Sequence, residues 1–231
     1  MTIATDRLTA AAGLSAVAAG AIFIGVQINH PHLDATSIQT TEMVVRDTLK
    51  ALMAVLSLVG ITGMYLSQVR RNGVLGLVGY LVLGAGYLTI MGTAFVAAFV
   101  MPTVAASDPG YVNDVIAATT GGSPTGDIGA LAIVARVQDI AYLAGGLLFG
   151  IALFRARVLA RWATVLLAVG GAVSAALTLM PDAFYRLLAF PNGIAMIGLG
   201  YSLWRVSRYS IDEAADQTPR IPQARPEEAA V

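Results

Sequence analysis

Long uncharged apolar windows, each closed by a charge, a proline or a polar cluster, recur along the whole chain. The first runs from Leu8 to Ile28, between Asp6-Arg7 and Asn29-His30. The second is uncharged from Ala51 to Val69. The third, Val74 to Met101, stops at Pro102, and the fifth, Trp162 to Met180, stops at Pro181. Only the fourth, from about Ile128 to Phe154, carries charges inside it, Arg136 and Asp139. Windows longer than roughly 18 residues distinguish a membrane span from a buried core helix. For the sixth, Pro191 to Trp204 falls short of a hydrocarbon core about 30 Å thick at about 1.5 Å per residue. That helix is therefore expected to begin near Phe184, with Pro191 inside it as a kink. The pattern predicts an all-α polytopic membrane protein of six transmembrane helices forming a bundle, with spans at about 8–28, 48–69, 74–101, 128–154, 162–180 and 184–206.

The connections differ by side. Arg70 to Gly73 and Arg155 to Arg161 are short and predict antiparallel hairpins. On the other side, helical signals precede span two, where Thr36 with Gln39 fits a capping box, so helix two is expected to project beyond the lipid. Residues 102 to 127 are long for a connection, and Tyr111, Val112, Val115 and Ile116 recur at helical spacing, which fits a short surface helix over that face; connections of this length are commonly lids or binding loops, or simply disordered. From Ser210 to Val231 the chain is polar, acidic and proline-containing, which predicts a disordered tail after a transmembrane domain of residues 1–209.

Basic residues orient the bundle. Arg7, Arg70, Arg71, Arg155, Arg157, Arg161, Arg205, Arg208, Arg220 and Arg225 fall on one side, against Arg46, Lys50, Arg136 and Arg186 on the other. Ten against four makes the first side cytoplasmic and places both termini there. A cleaved signal peptide would have a shorter apolar region and a small-residue cleavage site, so the first window reads as an uncleaved helix.

Composition agrees. Of 231 residues 57% are hydrophobic and 12% charged, about half the charge of a soluble domain. Fourteen basic and 14 acidic residues cancel, so no nucleic-acid partner is indicated, and the lipid bilayer is the expected partner. The absence of cysteine removes disulfides, thiolate metal sites and thiol catalysis. Thirteen of the 14 basic residues are Arg, which with the Ala, Gly and Val usage points to a high-GC bacterial genome.

Small residues, such as Gly146-x-x-x-Gly150, Gly76, Gly79, Gly198 and Gly200, suit close helix packing. His30, His32 and Asp34 alternate, and in an extended strand all three would point one way as a metal-ligand set. They lack the four ligands a structural zinc site needs, so neither a metal nor a cofactor is expected. Counting back from Phe154 puts the outer hydrocarbon edge near Ala135 and Asp139 roughly one turn inside it, where ionisable groups tend to face a cavity or a partner; Arg136 and Asp139 share a helix face, either as a local ion pair or as the wall of an outward-facing polar pocket. On helix two Glu42, Arg46 and Lys50 repeat every four residues with Asp47 beside them, and Tyr185 and Arg186 lie at the same level. These eight residues are the candidate ligand-binding set. Asp47 and Lys50 are expected to meet Arg136 and Asp139 in one charge-balanced cluster walling an outward-facing polar pocket.

The run Gly145-Gly146-Leu147-Leu148-Phe149-Gly150-Ile151-Ala152-Leu153-Phe154-Arg155-Ala156-Arg157-Val158-Leu159-Ala160-Arg161-Trp162, followed by an apolar stretch with Gly170-Gly171, resembles the middle hairpin of small bacterial membrane proteins classed as a domain of unknown function. Those show an Arg-Val-Leu-Pro-Arg-Trp-like inner turn, and here Ala160 stands in place of the proline. The resemblance implies a six-helix bacterial inner-membrane protein and carries no activity. Three functions follow from the residues: binding or transport of a small amphipathic molecule or lipid, an accessory subunit packed against a membrane-protein partner, or an intramembrane enzyme using Asp139, Glu42 or Asp47 as acid or base.

Overall fold

A computed structural model of the chain describes residues 5–120, 122–177 and 189–216. These residues form an all-α bundle of eight helices: α1 Thr5–Gly25, α2 Thr41–Leu66, α3 Val69–Phe99, α4 Met101–Ser107, α5 Pro109–Thr119, α6 Leu131–Ala156, α7 Arg161–Leu177 and α8 Ala189–Asp216, with a 3₁₀ turn at Ser37–Gln39. α1, α2, α3 and α6 are each long and apolar enough to cross a membrane.

Six of the helices close a ring. α1 packs against α2, α2 against α3, α3 against α6, α6 against α7, α7 against α8, and α8 returns to α1. Short links on one side and longer ones on the other alternate the helix directions around it. The core combines small residues such as Ala16 with large ones such as Tyr87 and Phe149, yet many large apolar residues face out: Leu14 is 54% exposed, Ile140 67% and Val74 77%. A protein folded in water would bury its largest apolar side chains. Lipid removes that drive, and association then depends on close backbone approach. α1 and α8 show it, since a Cβ at Gly13 would stand 2.7 Å from the carbonyl oxygen of Gly200. At Gly145 in α6 a Cβ would collide with the backbone of Leu83 in α3.

Helix boundaries correct the sequence expectation in several places. Thr36 makes no side-chain cap; it precedes the 3₁₀ turn, and Thr40 is the N-cap of α2, accepting from the Met43 N–H at 3.3 Å. Gln39 turns back to the Ala35 carbonyl at 2.8 Å. Pro102 does more than stop a helix: it sits in the first turn of α4, where its missing N–H has no intrahelical role. The turn after α2 contains one helical turn from Val69, broken at Gly73, whose φ of 58° needs glycine. The last helix continues through Asp216, so the tail expected from Ser210 is helical for its first residues, and 217–231 lie outside the described residues. The start expected near Phe184, on which the Pro191 kink rests, also falls outside them.

At the turn between α6 and α7, Arg157 takes a left-handed φ of 58° and donates its N–H to the Leu153 carbonyl at 3.3 Å. The Ala160 N–H reaches the Ser202 hydroxyl of α8 at 3.0 Å, and Arg161 lies 4.4 Å over the Phe154 ring. The hairpin expected here is formed.

At the opposite end α4 and α5 make a cap with its own apolar cluster, Ala35, Ile38, Met101, Ala105, Val112, Val115 and Ile128. The helix expected from the spacing of Tyr111, Val112, Val115 and Ile116 is α5, and Val112 and Val115 are its buried face. Asp108 caps it, accepting from Tyr111 N–H at 2.9 Å. Asn113 Oδ1 accepts from Ala35 N–H at 2.8 Å and ties the cap to the α1–α2 connection.

Candidate functional site

Beneath this cap, in the half of the bundle where α1 ends and α2 begins, lies a cavity of about 470 Å³. Every described helix of the ring except α7 contributes to its wall, as do α4 and α5. Most of the lining is apolar, including Phe23, Met53, Ile90, Ala94, Ala97, Val115 and Leu143. Polar groups enter from several elements: Gln27, His30, Asp47 and Lys50 on the α1–α2 side, Tyr87 and Thr93 on α3, Thr119 and Thr120 at the end of α5, Gln138, Asp139 and Tyr142 on α6, and Asn192 on α8.

The α1–α2 side is a bonded chain. Lys50 Nζ donates to Asp47 Oδ1 at 2.7 Å and lies 3.4 Å from His30 Nε2. His30 Nδ1 is 2.9 Å from the Pro31 carbonyl oxygen. A carbonyl can only accept and an ammonium can only donate, so the neighbours select the tautomer with the proton on Nδ1 and the lone pair of Nε2 toward Lys50. Asp47 is 4% exposed, and Lys50 neutralises it where water is scarce.

Across the cavity Thr93 donates its hydroxyl proton to Gln138 Oε1 at 2.7 Å, a polar link between α3 and α6. The Tyr142 ring meets Tyr87 edge to face with centroids 5.6 Å apart. Its hydroxyl is buried. Asp139, one turn before Tyr142 on the same face of α6, lines the cavity and stays exposed.

The expected four-charge cluster is not formed. α2 and α6 are not packed neighbours; each packs against α3. Among the described residues the ion pairs are Arg46 with Glu42 and Lys50 with Asp47, so Arg136 and Asp139 pair neither with each other nor with α2. Arg136 is exposed and outside the cavity wall, whereas Asp47, Lys50 and Asp139 all belong to it.

Glu42 and Arg46 do other work. The Arg46 guanidinium donates to the carbonyls of Val26 at 2.7 Å, Ile28 at 3.1 Å and Asn29 at 3.2 Å, and to Glu42 Oε1 at 2.7 Å. It thereby satisfies carbonyls left over where α1 ends. Tyr185 and Arg186 lie outside the described residues.

The alternating His30, His32 and Asp34 do not face one way. His30 is buried, His32 is exposed, and Asp34 folds back to accept from the N–H groups of Ser37 at 2.7 Å and Thr36 at 2.9 Å. Those bonds, led by the one from Ser37, hold its carboxyl below the usual carboxylate range. Among the described residues no three His, Asp or Glu side chains gather as a metal site.

Gln138, Thr93, Tyr87 and Tyr142 were missed by sequence reasoning that followed charge alone. Their signal is a polar residue at helical spacing inside an apolar run, with Gln138, Asp139 and Tyr142 on adjoining positions of one face.

The chain matches no protein-family model, and no curated protein or solved structure matches it.

Proposed function

We propose that this chain is an integral protein of the bacterial inner membrane with six transmembrane helices, α1, α2, α3, α6, α7 and α8, and both termini in the cytoplasm. In this reading it is a binding or transport protein whose cavity, under the α4–α5 cap, takes a small amphipathic molecule or lipid. The six-span part is supported by the ring, in which α7 and α8 complete the circuit between α6 and α1. It is also supported by the crowding of Arg at the end away from the cap. The resemblance of the Arg157-Val158-Leu159-Ala160-Arg161-Trp162 turn to small six-helix bacterial membrane proteins belongs to the same proposal.

The cavity carries the functional part. A space of about 470 Å³, within the range of small-molecule sites, with apolar walls and a few convergent polar groups, is the usual form of a ligand site. Asp47, Lys50 and Asp139 bring charge into it, and charge within a span has a functional reason by default.

Native mass spectrometry of protein released from mild detergent tests the site. The wild type is expected to retain a bound species of defined mass, and Ala97→Trp, which fills the cavity, to lose it. Identical adducts on both proteins remove the reading. Reporters fused after Arg161 and at the C terminus should register as cytoplasmic, and those near Asp34 and Asp114 as external. An external C terminus removes the six-span arrangement.

A further inference from the structure

We infer that the cavity is selective for an amphipathic monocation, an amine or quaternary ammonium on an apolar body, and that Asp139 holds its charge. This narrows the binding reading above and rests on it. Among the described residues, three side chains of formal charge line the cavity: Asp47, Lys50 and Asp139. Two of them cancel, since Lys50 and Asp47 are joined at 2.7 Å and Lys50 is further engaged with His30. Asp139 is left over. Among the described residues it has no ion-pair partner, and Arg136, one turn away on its own helix, lies outside the wall. A carboxylate within a span normally faces a partner, and the space in front of this one is the cavity.

The neighbouring groups suit the same ligand. Tyr142 follows Asp139 by one turn and is half-buried in the wall, its ring held edge to face by the buried Tyr87. Aromatic faces attract cations, most strongly where water is excluded. An anionic head would meet described wall residues whose net charge is negative. A cationic head neutralises it, while the chain beneath the head meets Ile90, Ala94 and Ala97.

Three probes with one ten-carbon chain separate the possibilities: decylammonium, decanoate and decanol, titrated into the full chain in zwitterionic lipid nanodiscs, with empty nanodiscs subtracted. Decylammonium is expected to bind about tenfold or more tighter than decanoate. Asp139→Asn should abolish that preference while leaving decanol binding within about twofold, and Asp139→Glu should keep the preference. Equal binding of all three probes, tighter decanoate, or a preference that survives Asp139→Asn overturns the cation assignment and leaves the cavity reading standing. If no probe binds, or if Ala97→Trp binds all three as the wild type does, both fall.

Discussion

Arg46 of α2 donates a hydrogen bond at 2.7 Å to the carbonyl of Val26, just past the end of α1 and twenty positions earlier in the chain. Together with the bonds to Ile28 and Asn29, it closes the end of one helix with the side chain of the next. Its partner Glu42 is 55% exposed and adds little, because exposed ion pairs contribute about 0–1 kcal/mol. Hydrogen bonds from a charged donor are worth about 1.5–3 kcal/mol. Arg46→Ala is therefore expected to lower the thermal unfolding midpoint in mild detergent clearly, and Glu42→Ala barely. Equal effects of the two would show that the ion pair, not the carbonyl cap, is what matters.

The Asp47–Lys50 pair gives an asymmetric prediction. The Asp47 side chain is 5% exposed and that of Lys50 23%, so a Lys50→Ala variant strands the more deeply buried charge. Stranding a buried partner costs about 3–5 kcal/mol, and Asp47→Ala should cost less because Lys50 can still reach the cavity and His30. The double variant should be milder than the sum of the two. Denaturant or thermal unfolding of all three in one detergent measures the coupling, and strict additivity would contradict the pairing.

The apolar windows were legible as helices because a span must be long, uncharged and internally hydrogen-bonded, which leaves a direct trace in composition. The α5 helix was legible for a related reason: Val112 and Val115 keep a helical spacing when they bury one face. The partner each charged face meets was not legible. Glu42, Arg46 and Lys50 do share a face, but Arg46 meets the end of α1 and Lys50 meets His30, while α6 packs elsewhere. Depth along a span sets the level of a charge, and ring order decides its neighbour. The Thr36 box failed similarly, because Thr40 offered the same hydroxyl at the point where the backbone enters α2.

The cap carries a pH dependence of its own. Asp114 of α5 accepts from the Thr125 N–H at 2.7 Å, the Thr125 hydroxyl at 2.9 Å and the Gly126 N–H at 3.0 Å. These bonds, led by the Thr125 N–H, hold its carboxyl below the ordinary value of 3.8. A carboxyl depressed in the folded state stabilises that state fully above its unfolded pKa, and the contribution is lost as pH falls through the lower folded value. Protection of the Thr125 and Gly126 amides from hydrogen exchange should be constant at about pH 5 and above, and should collapse only below the ordinary carboxylate pKa. Asp114→Ala should abolish that protection at every pH. Protection that fades near neutrality would assign it to another group.

Glycines that meet a neighbouring backbone can be told from glycines that do not by one methyl group. At Gly13 in α1 an added Cβ would stand 2.7 Å from both the Gly200 carbonyl oxygen and the Trp204 nitrogen of α8. Neither atom is the tip of a flexible side chain, so the helices must part to admit it, and overpacking of this kind costs about 1–3 kcal/mol. At Gly92 in α3 an added Cβ would find nothing within 4 Å. There the substitution removes only the conformational freedom of glycine within a helix, a gain of roughly 0.5–1 kcal/mol. Gly13→Ala should accordingly lower the unfolding midpoint and Gly92→Ala raise it, although the chemical change is identical. The sign difference matters more than either magnitude, because it isolates the α1–α8 contact that closes the ring. If Gly13→Ala is neutral or stabilising, α1 and α8 do not approach through Gly13 and Gly200, and the closed ring that encloses the cavity has to be given up.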